Sequence, residues 1–235
     1  MSDPFSPDRQ FDIAGLRVFV AMPSHRDIHP LTVKALLDTQ NALISRGVPV
    51  GIEFKYGSSV VHHARSRIAS DFLATDYNRL FWVDSDIVWQ VGDFLRLLAM
   101  STVMDIVAAA YPAKQDPTIF LVRSGIEDIE TNEQGCLPLS GFGMGFCCIH
   151  RRVIEDLAET APRKRFHMLP EPIPHIFFTE GDDNDDGEGA EGEDMAFFRR
   201  AAALGYTAWV DPAVELGHIG PKVFNGRLLD HLQQA

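Results

Sequence analysis

Cationic side chains are scarce in this sequence. Lys and Arg total 21 against 33 Asp and Glu, giving a formal net charge of −12 over 235 residues. That deficit excludes a general nucleic-acid backbone binder, whose affinity comes largely from Lys and Arg neutralising phosphates. Cysteine is rarer still. Cys136, Cys147 and Cys148 show no C-x-x-C spacing and suit neither a disulfide framework nor a zinc site, so a reducing, cytoplasmic setting is expected. No uncharged apolar run reaches the roughly 18 residues of a membrane-spanning helix. The polar, Pro-bearing stretch MSDPFSPDRQFDIAG has no signal-peptide pattern. Neither a transmembrane segment nor a leader is expected. Apolar mass, by contrast, is ample: 46% of residues are hydrophobic and 16 are Phe, enough for one generous domain.

Periodicity alternates along the first half. LRVFVAM (16–22), PVGIEFKY (49–56), RLFWV (79–83) and DIVAAAY (105–111) predict strands, the first and the third expected to be buried. Helical spacing separates them over 31–46, 60–74 and 91–101, with Gly47 as a natural C-cap of the first. Strand and helix in strict alternation predict an α/β domain with a mainly parallel central sheet. The second half is less regular. Strands are predicted over 118–124, 141–150 and 207–211, and helices over 153–159 and 193–205. The whole chain is expected to be one domain, with a nucleotide-binding half at about 16–111 and an acceptor and catalytic half at about 112–235. A low-complexity stretch at 180–192, dense in carboxylates and without one cation, is either a lid or a solvated insertion.

The chemistry concentrates at Asp84 and Asp86. Side chains alternate along a strand, so both acids are expected on one side at the carboxyl end of the third strand. Ligands of open α/β sheets bind at such strand ends. Two close carboxylates repel unless a cation or a shared proton compensates them, and hard oxygen ligands match Mg²⁺ or Mn²⁺. Read alone, the pair is equally a solvated strand-to-turn corner.

Further motifs accompany it in order. HHARSRIASDFLATDYNRLFWVDSDIVW (62–89), YPAK (111–114), GFGMGFCCIHRRVIEDL (141–157) and GEDMAFFRRAAALGYTAWVDPAVELGHIG (192–220) together resemble the GT-A glycosyltransferases, particularly their family-2-like and Anp1-type branches. The resemblance implies a GT-A-like, Rossmann-like fold and transfer of a sugar from a UDP- or GDP-sugar to a hydroxyl acceptor. It also implies that Asp86 ligates Mn²⁺ or Mg²⁺ directly, and that Asp84 contacts the metal through water or holds the donor ribose. His218 would complete the coordination. Asp194 would be the general base of an inverting enzyme, although the Anp1-type relatives retain configuration.

Donor contacts are expected from Pro23 and Ser24 at the end of the first strand. Arg65 would meet a phosphate or a base edge, or else form a surface salt bridge. Lys114 would meet a phosphate or the acceptor, or else stand in solvent. Asp194, at a helix start facing inward, is either the base or simply a favourable cap beside the helix dipole. His25 and His29 flank Asp27 without zinc spacing and read as loop polars. Two other classes stay open: nucleotidyl transfer, disfavoured because AMPSHRD lacks the Gly-rich basic character that a triphosphate asks for, and a non-catalytic nucleotide or sugar binder on the same fold.

Overall fold

The structure is a computed structural model that describes residues 13–25, 27–58, 60–124, 130–166, 169–178 and 192–233. In chain order the first half runs β1 (Val18–Ser24), α1 (Pro30–Ser45), β2 (Val50–Tyr56), α2 (Val61–Leu73), β3 (Arg79–Val83), β4 (Ile87–Val88), α3 (Val91–Met100) and β5 (Ile106–Ala108). Then come β6 (Val122–Arg123), β7 (Leu137–Pro138), β8 (Gly141–Phe142), β9 (Phe146–His150), α4 (Arg151–Thr160), β10 (Arg163–Lys164) and β11 (Ile173–Pro174). The chain closes with α5 (Glu193–Ala203), β12 (Ala208–Val210), β13 (Glu215–Ile219), β14 (Val223–Arg227) and α6 (Leu228–Leu232).

Seven strands form the central sheet in the order β2-β1-β3-β9-β5-β12-β7. The β2-β1, β1-β3 and β5-β12 pairs are parallel, while β9 lies antiparallel between β3 and β5, and β7 closes the edge antiparallel to β12. Five strands therefore share one direction, and the α/β class with a mainly parallel sheet is as expected.

Alternation along the central strands sorts the core into two layers. Phe19, Ala21, Leu80, Trp82, Ile106 and Cys147 pack under α2, α4 and α5, with Phe72, Leu157 and Phe197 among the helical partners. The residues between them, including Val20, Phe81, Val107 and Cys148, pack under α1 and α3, against Leu36, Leu43, Phe94 and Leu97. Both faces are thus covered by helices, which is why these strands read as unbroken apolar runs.

Two expectations need correction, and one hairpin is new. The segment 141–150 is two strands in different sheets: β8 pairs with β6, and β9 joins the central sheet. The 118–124 strand shrinks to Val122–Arg123, with one bridge between Phe120 and Pro112. The hairpin β13-β14, which pairs with β4 in a separate three-stranded sheet, has no forerunner in the periodicity analysis. Except for Gly192, the acidic stretch lies outside the described residues. Among the described residues, no helix is long and apolar enough to cross a membrane.

Candidate active site

β3 ends at Val83, and the acids that follow are not in a strand. Asp84 through Ile87 form a turn closed by the Ile87 amide donating to the Asp84 carbonyl at 3.2 Å. Strand alternation is therefore not what presents the two carboxylates; a tight corner does. The Asp84 amide is tied to the Gly145 carbonyl at 2.9 Å, which anchors the corner to the entry of β9. Gly145 has a steric reason to lack a side chain. A Cβ there would lie 2.5 Å from Asp84 Oδ2 and 2.9 Å from the Tyr111 ring.

The turn runs directly into β4, and β4 brings His218 to the site. Ile87 pairs with His218, and the Ile219 amide donates to the Asp86 carbonyl at 2.8 Å. His218 Nε2 then stands 3.6 Å from Asp86 Oδ2, while Nδ1 is 2.8 Å from the Pro112 carbonyl. A carbonyl only accepts, so Nδ1 carries a proton toward Pro112 and Nε2 is the ring nitrogen left to face Asp86. Lys114 also pairs with Asp86. Gly220 leaves room for the lysine stem, a Cβ there being 3.3 Å from Lys114 Cδ. Burial pushes the Asp86 carboxyl up, but His218 and Lys114 outweigh it and hold the group below its ordinary value.

Asp84 has a different partner. Arg65 Nη2 donates to its Oδ1 at 3.0 Å, and Arg65 Nε lies 3.6 Å from Glu193 Oε1. Only 2% exposed and with its guanidinium 5.2 Å from the Trp82 ring, Arg65 is a buried counter-charge. Burial alone would weaken its charge, but Asp84, Asp194 and Glu193 more than compensate and raise its proton affinity. Sequence reasoning put Arg65 against a donor phosphate or base, or in a solvent salt bridge. The structure buries it beneath the acids, paired with Asp84 and close to Glu193, so the solvent-exposed salt bridge is not what forms. Asp84 is pushed up by burial, with Arg65 opposing and the charges of Asp194 and Asp86 adding to the rise.

Asp194 opens α5 and faces the same corner. Its Oδ2 accepts from the Met144 amide at 3.1 Å. The neighbouring Glu193, missed in the sequence, is pushed up to about 7 by burial and by the charge and hydrogen bond of Asp194. Tyr111, also missed, stacks edge-on against His218 with centroids 4.9 Å apart, and its phenol is raised by burial and by Asp84 and Asp194. Tyr111, His218, Asp194, Gly143 and Met195 line a cleft of about 240 Å³. Met195 separates it from a second cavity of about 420 Å³ bounded by Leu139, Phe198, Tyr206 and Arg123.

Pro23 and Ser24 are buried at the carboxyl end of β1, beside Lys55 and Tyr56 of β2. His29 caps α1, its Nδ1 accepting from the Leu31 amide at 3.2 Å, so it acts locally as the loop reading implied. The structure thus brings Asp84, Asp86, His218, Lys114, Arg65 and Asp194 to one corner. Asp86 and His218 offer a carboxylate and an imidazole side by side, donor types that suit a hard to borderline divalent cation such as Mn²⁺.

No protein-family model and no curated protein matches the chain. Among solved structures it is similar to GalNAc-T7 with UDP, GalNAc and Mn2+, at 12% identity and a TM-score of 0.49, over 89% of this chain and 45% of that one. It therefore spans less than half the length of that protein. A 4-diphosphocytidyl-2C-methyl-D-erythritol synthase from Anaerococcus prevotii gives 9% identity and a TM-score of 0.35, over 80% of this chain and 98% of that one. A glycosyltransferase involved in glycosylation of the major capsid of PBCV-1 gives 14% identity and 0.28, over 64% and 71%. Identities and TM-scores are low throughout, so what the corner does has to be read from its own residues.

Proposed function

We propose that this chain is a metal-dependent glycosyltransferase that moves a sugar from a UDP- or GDP-sugar to a hydroxyl acceptor. The observation that carries the reading is His218 Nε2 at 3.6 Å from Asp86 Oδ2, with Nδ1 tied to the Pro112 carbonyl. A histidine fixed from behind and aimed at a carboxylate is how proteins prepare an imidazole ligand. Asp86 and His218 would hold the cation, with Asp84, one oxygen already taken by Arg65, serving it through water or holding the donor ribose. A bound Mn²⁺ or Mg²⁺ would stabilise the negative charge that grows on the leaving nucleoside diphosphate.

The chain's own side chains divide the remaining work. Lys114 neutralises Asp86 in the metal-free protein and is exposed enough to turn toward a diphosphate when that charge is replaced. Pro23 and Ser24 form the floor for the nucleoside. Arg65 keeps Asp84 in place from below. Asp194 takes the proton from the acceptor hydroxyl as that oxygen attacks the anomeric carbon, with inversion, a contribution of roughly 10²–10⁴ in rate. The cleft beside Asp194 holds the reacting groups, and the absence of side chains at Gly143 and Gly145 lets Tyr111 and Asp84 pack closely against its wall.

A thermal-shift panel of nucleoside diphosphates and their sugars with Mn²⁺ tests this. A ligand at a hundredfold excess over its dissociation constant stabilises the fold by roughly 2.7 kcal/mol. Asp86→Ala should abolish the Mn²⁺-dependent part of the shift; an unchanged shift removes Asp86 from the site. Slow donor hydrolysis should release UDP or GDP, whereas pyrophosphate released from a nucleoside triphosphate points to nucleotidyl transfer instead.

A further inference from the structure

Away from the cleft, three imidazoles meet where α2 begins. His62 and His63 lie in its first turn, and His175 directly follows β11. One ring nitrogen from each lies within 4.8 Å of the other two. The ring centroids are 4.5 Å apart for His62 and His63, and 5.5 Å from each to His175. His175 is 6% exposed, and its Nε2 is buried with no hydrogen-bond partner among the described residues. Native interiors rarely leave such a nitrogen unpaired.

The backbone around His175 is clamped. Its amide donates to the Pro162 carbonyl at 2.9 Å, and the Phe177 amide donates to Ser66 Oγ on α2 at 3.1 Å. Arg200 of α5 donates to the carbonyls of Ile176 and Phe178 at 2.7 and 2.9 Å. The third ring is therefore held against α2 by bonds that do not involve the ring itself.

We propose that His62, His63 and His175 bind one transition-metal ion of the zinc class, at a site separate from the Asp84, Asp86 and His218 corner. Imidazole nitrogens suit Zn²⁺, Cu²⁺, Ni²⁺ and Co²⁺, and three protein ligands leave a fourth position for water. Metal–nitrogen bonds of about 2.0–2.1 Å in a tetrahedral site put the nitrogens about 3.3 Å apart, so from their present spacing they need close in by at most about 1.5 Å. Burial, followed by the nearby Lys164 charge, lowers all three rings, His175 to about 4, so each is in the neutral form that a ligand needs. Lys164 Nζ, 3.0 Å from His63 Nε2, projects from exposed β10 and has solvent into which to withdraw. The bound ion would fasten α2 to the β10-β11 hairpin, and α2 also carries Arg65 only two residues beyond His63. This inference does not depend on the donor site.

Tag-free Asp86→Ala protein, in which the acidic corner has lost a ligand, would be titrated with Co²⁺ and then Zn²⁺. One equivalent of Co²⁺ should develop the intense visible absorption of a four-coordinate imidazole complex, and Zn²⁺ should bleach it. Adding His175→Ala, or separately His62→Ala, should weaken binding by more than the roughly 10–100-fold that loss of an outer-sphere partner costs. His62 is only half-buried, so its variant keeps the test decisive if His175→Ala does not fold. The proposal is overturned if the Co²⁺ spectrum stays that of the six-coordinate aquo ion, or if His62→Ala binds as tightly as its parent.

Discussion

Glu193 offers a sharp test of the electrostatics at the start of α5. Its side chain is 17% exposed, lies 3.6 Å from Arg65 and is hydrogen-bonded to Asp194. Burial first, and then Asp194, raise it from 4.5 to about 7 in the folded protein. The folded state therefore holds this proton more tightly than the unfolded chain does. The stability that the protonated group contributes is complete below about 4.5 and is lost as pH climbs through 7. A difference of two to three pH units at 1.36 kcal/mol each sets a ceiling of about 3 kcal/mol. Glu193→Gln keeps the shape and an N–H donor for Asp194 but removes the ionisation. Urea denaturation of the two proteins should give nearly equal stabilities at pH 4.5. The variant should gain progressively between pH 4.5 and 7, and the gain should level off above that. A difference that is constant with pH, or that shrinks as pH rises, would refute the claim that Glu193 is held protonated by burial beside Asp194.

Other outcomes follow from neighbouring contacts. Gly145→Ala places a Cβ 2.5 Å from Asp84 Oδ2, which should cost about 1–3 kcal/mol in overpacking and reduce the Mn²⁺-dependent shift together with stability, both readable by calorimetry. Lys114→Met removes the charge that occupies Asp86, so donor-free Mn²⁺ binding should tighten about fivefold, the scale of one part-exposed ion pair, while donor affinity falls; titration calorimetry separates the two. Asp211, 1% exposed, pairs with buried Arg96 and caps the Ala213 amide at 3.0 Å. Asp211→Ala should therefore cost about 3–5 kcal/mol in denaturant unfolding by leaving a guanidinium buried without its partner.

The strands and helices that carry the sheet could be read directly because each obeys a local rule. After Arg79, the run Leu80–Val83 is apolar throughout since β3 is covered on both faces, and α5 shows Phe197, Phe198 and Ala201 on one stripe behind Glu193 and Asp194. The acids at the end of β3 were equally visible, since an apolar run closing on D-x-D is a local pattern. The manner in which they are presented was not. Alternation assumes an extended chain, whereas the turn at Asp84–Ile87 is set by its bonds to Gly145 and to Ile219.

The sequence by itself determined the layered α/β class, the place of the acidic pair at a strand end and the inward face of α5, because hydrophobic periodicity and local turn chemistry act over a few residues. Tertiary structure alone decided that β4 pairs with β13 and so sets His218 beside Asp86, and that Arg65 is a buried counter-charge and not a surface contact. It also enclosed Glu193, the sequence neighbour of Asp194, in an interior that raises its pKa, and gathered three histidines from α2 and the segment after β11. Those facts depend on burial and on contacts between distant segments, and no local spacing encodes which carboxylate a folded chain will leave in water and which it will enclose.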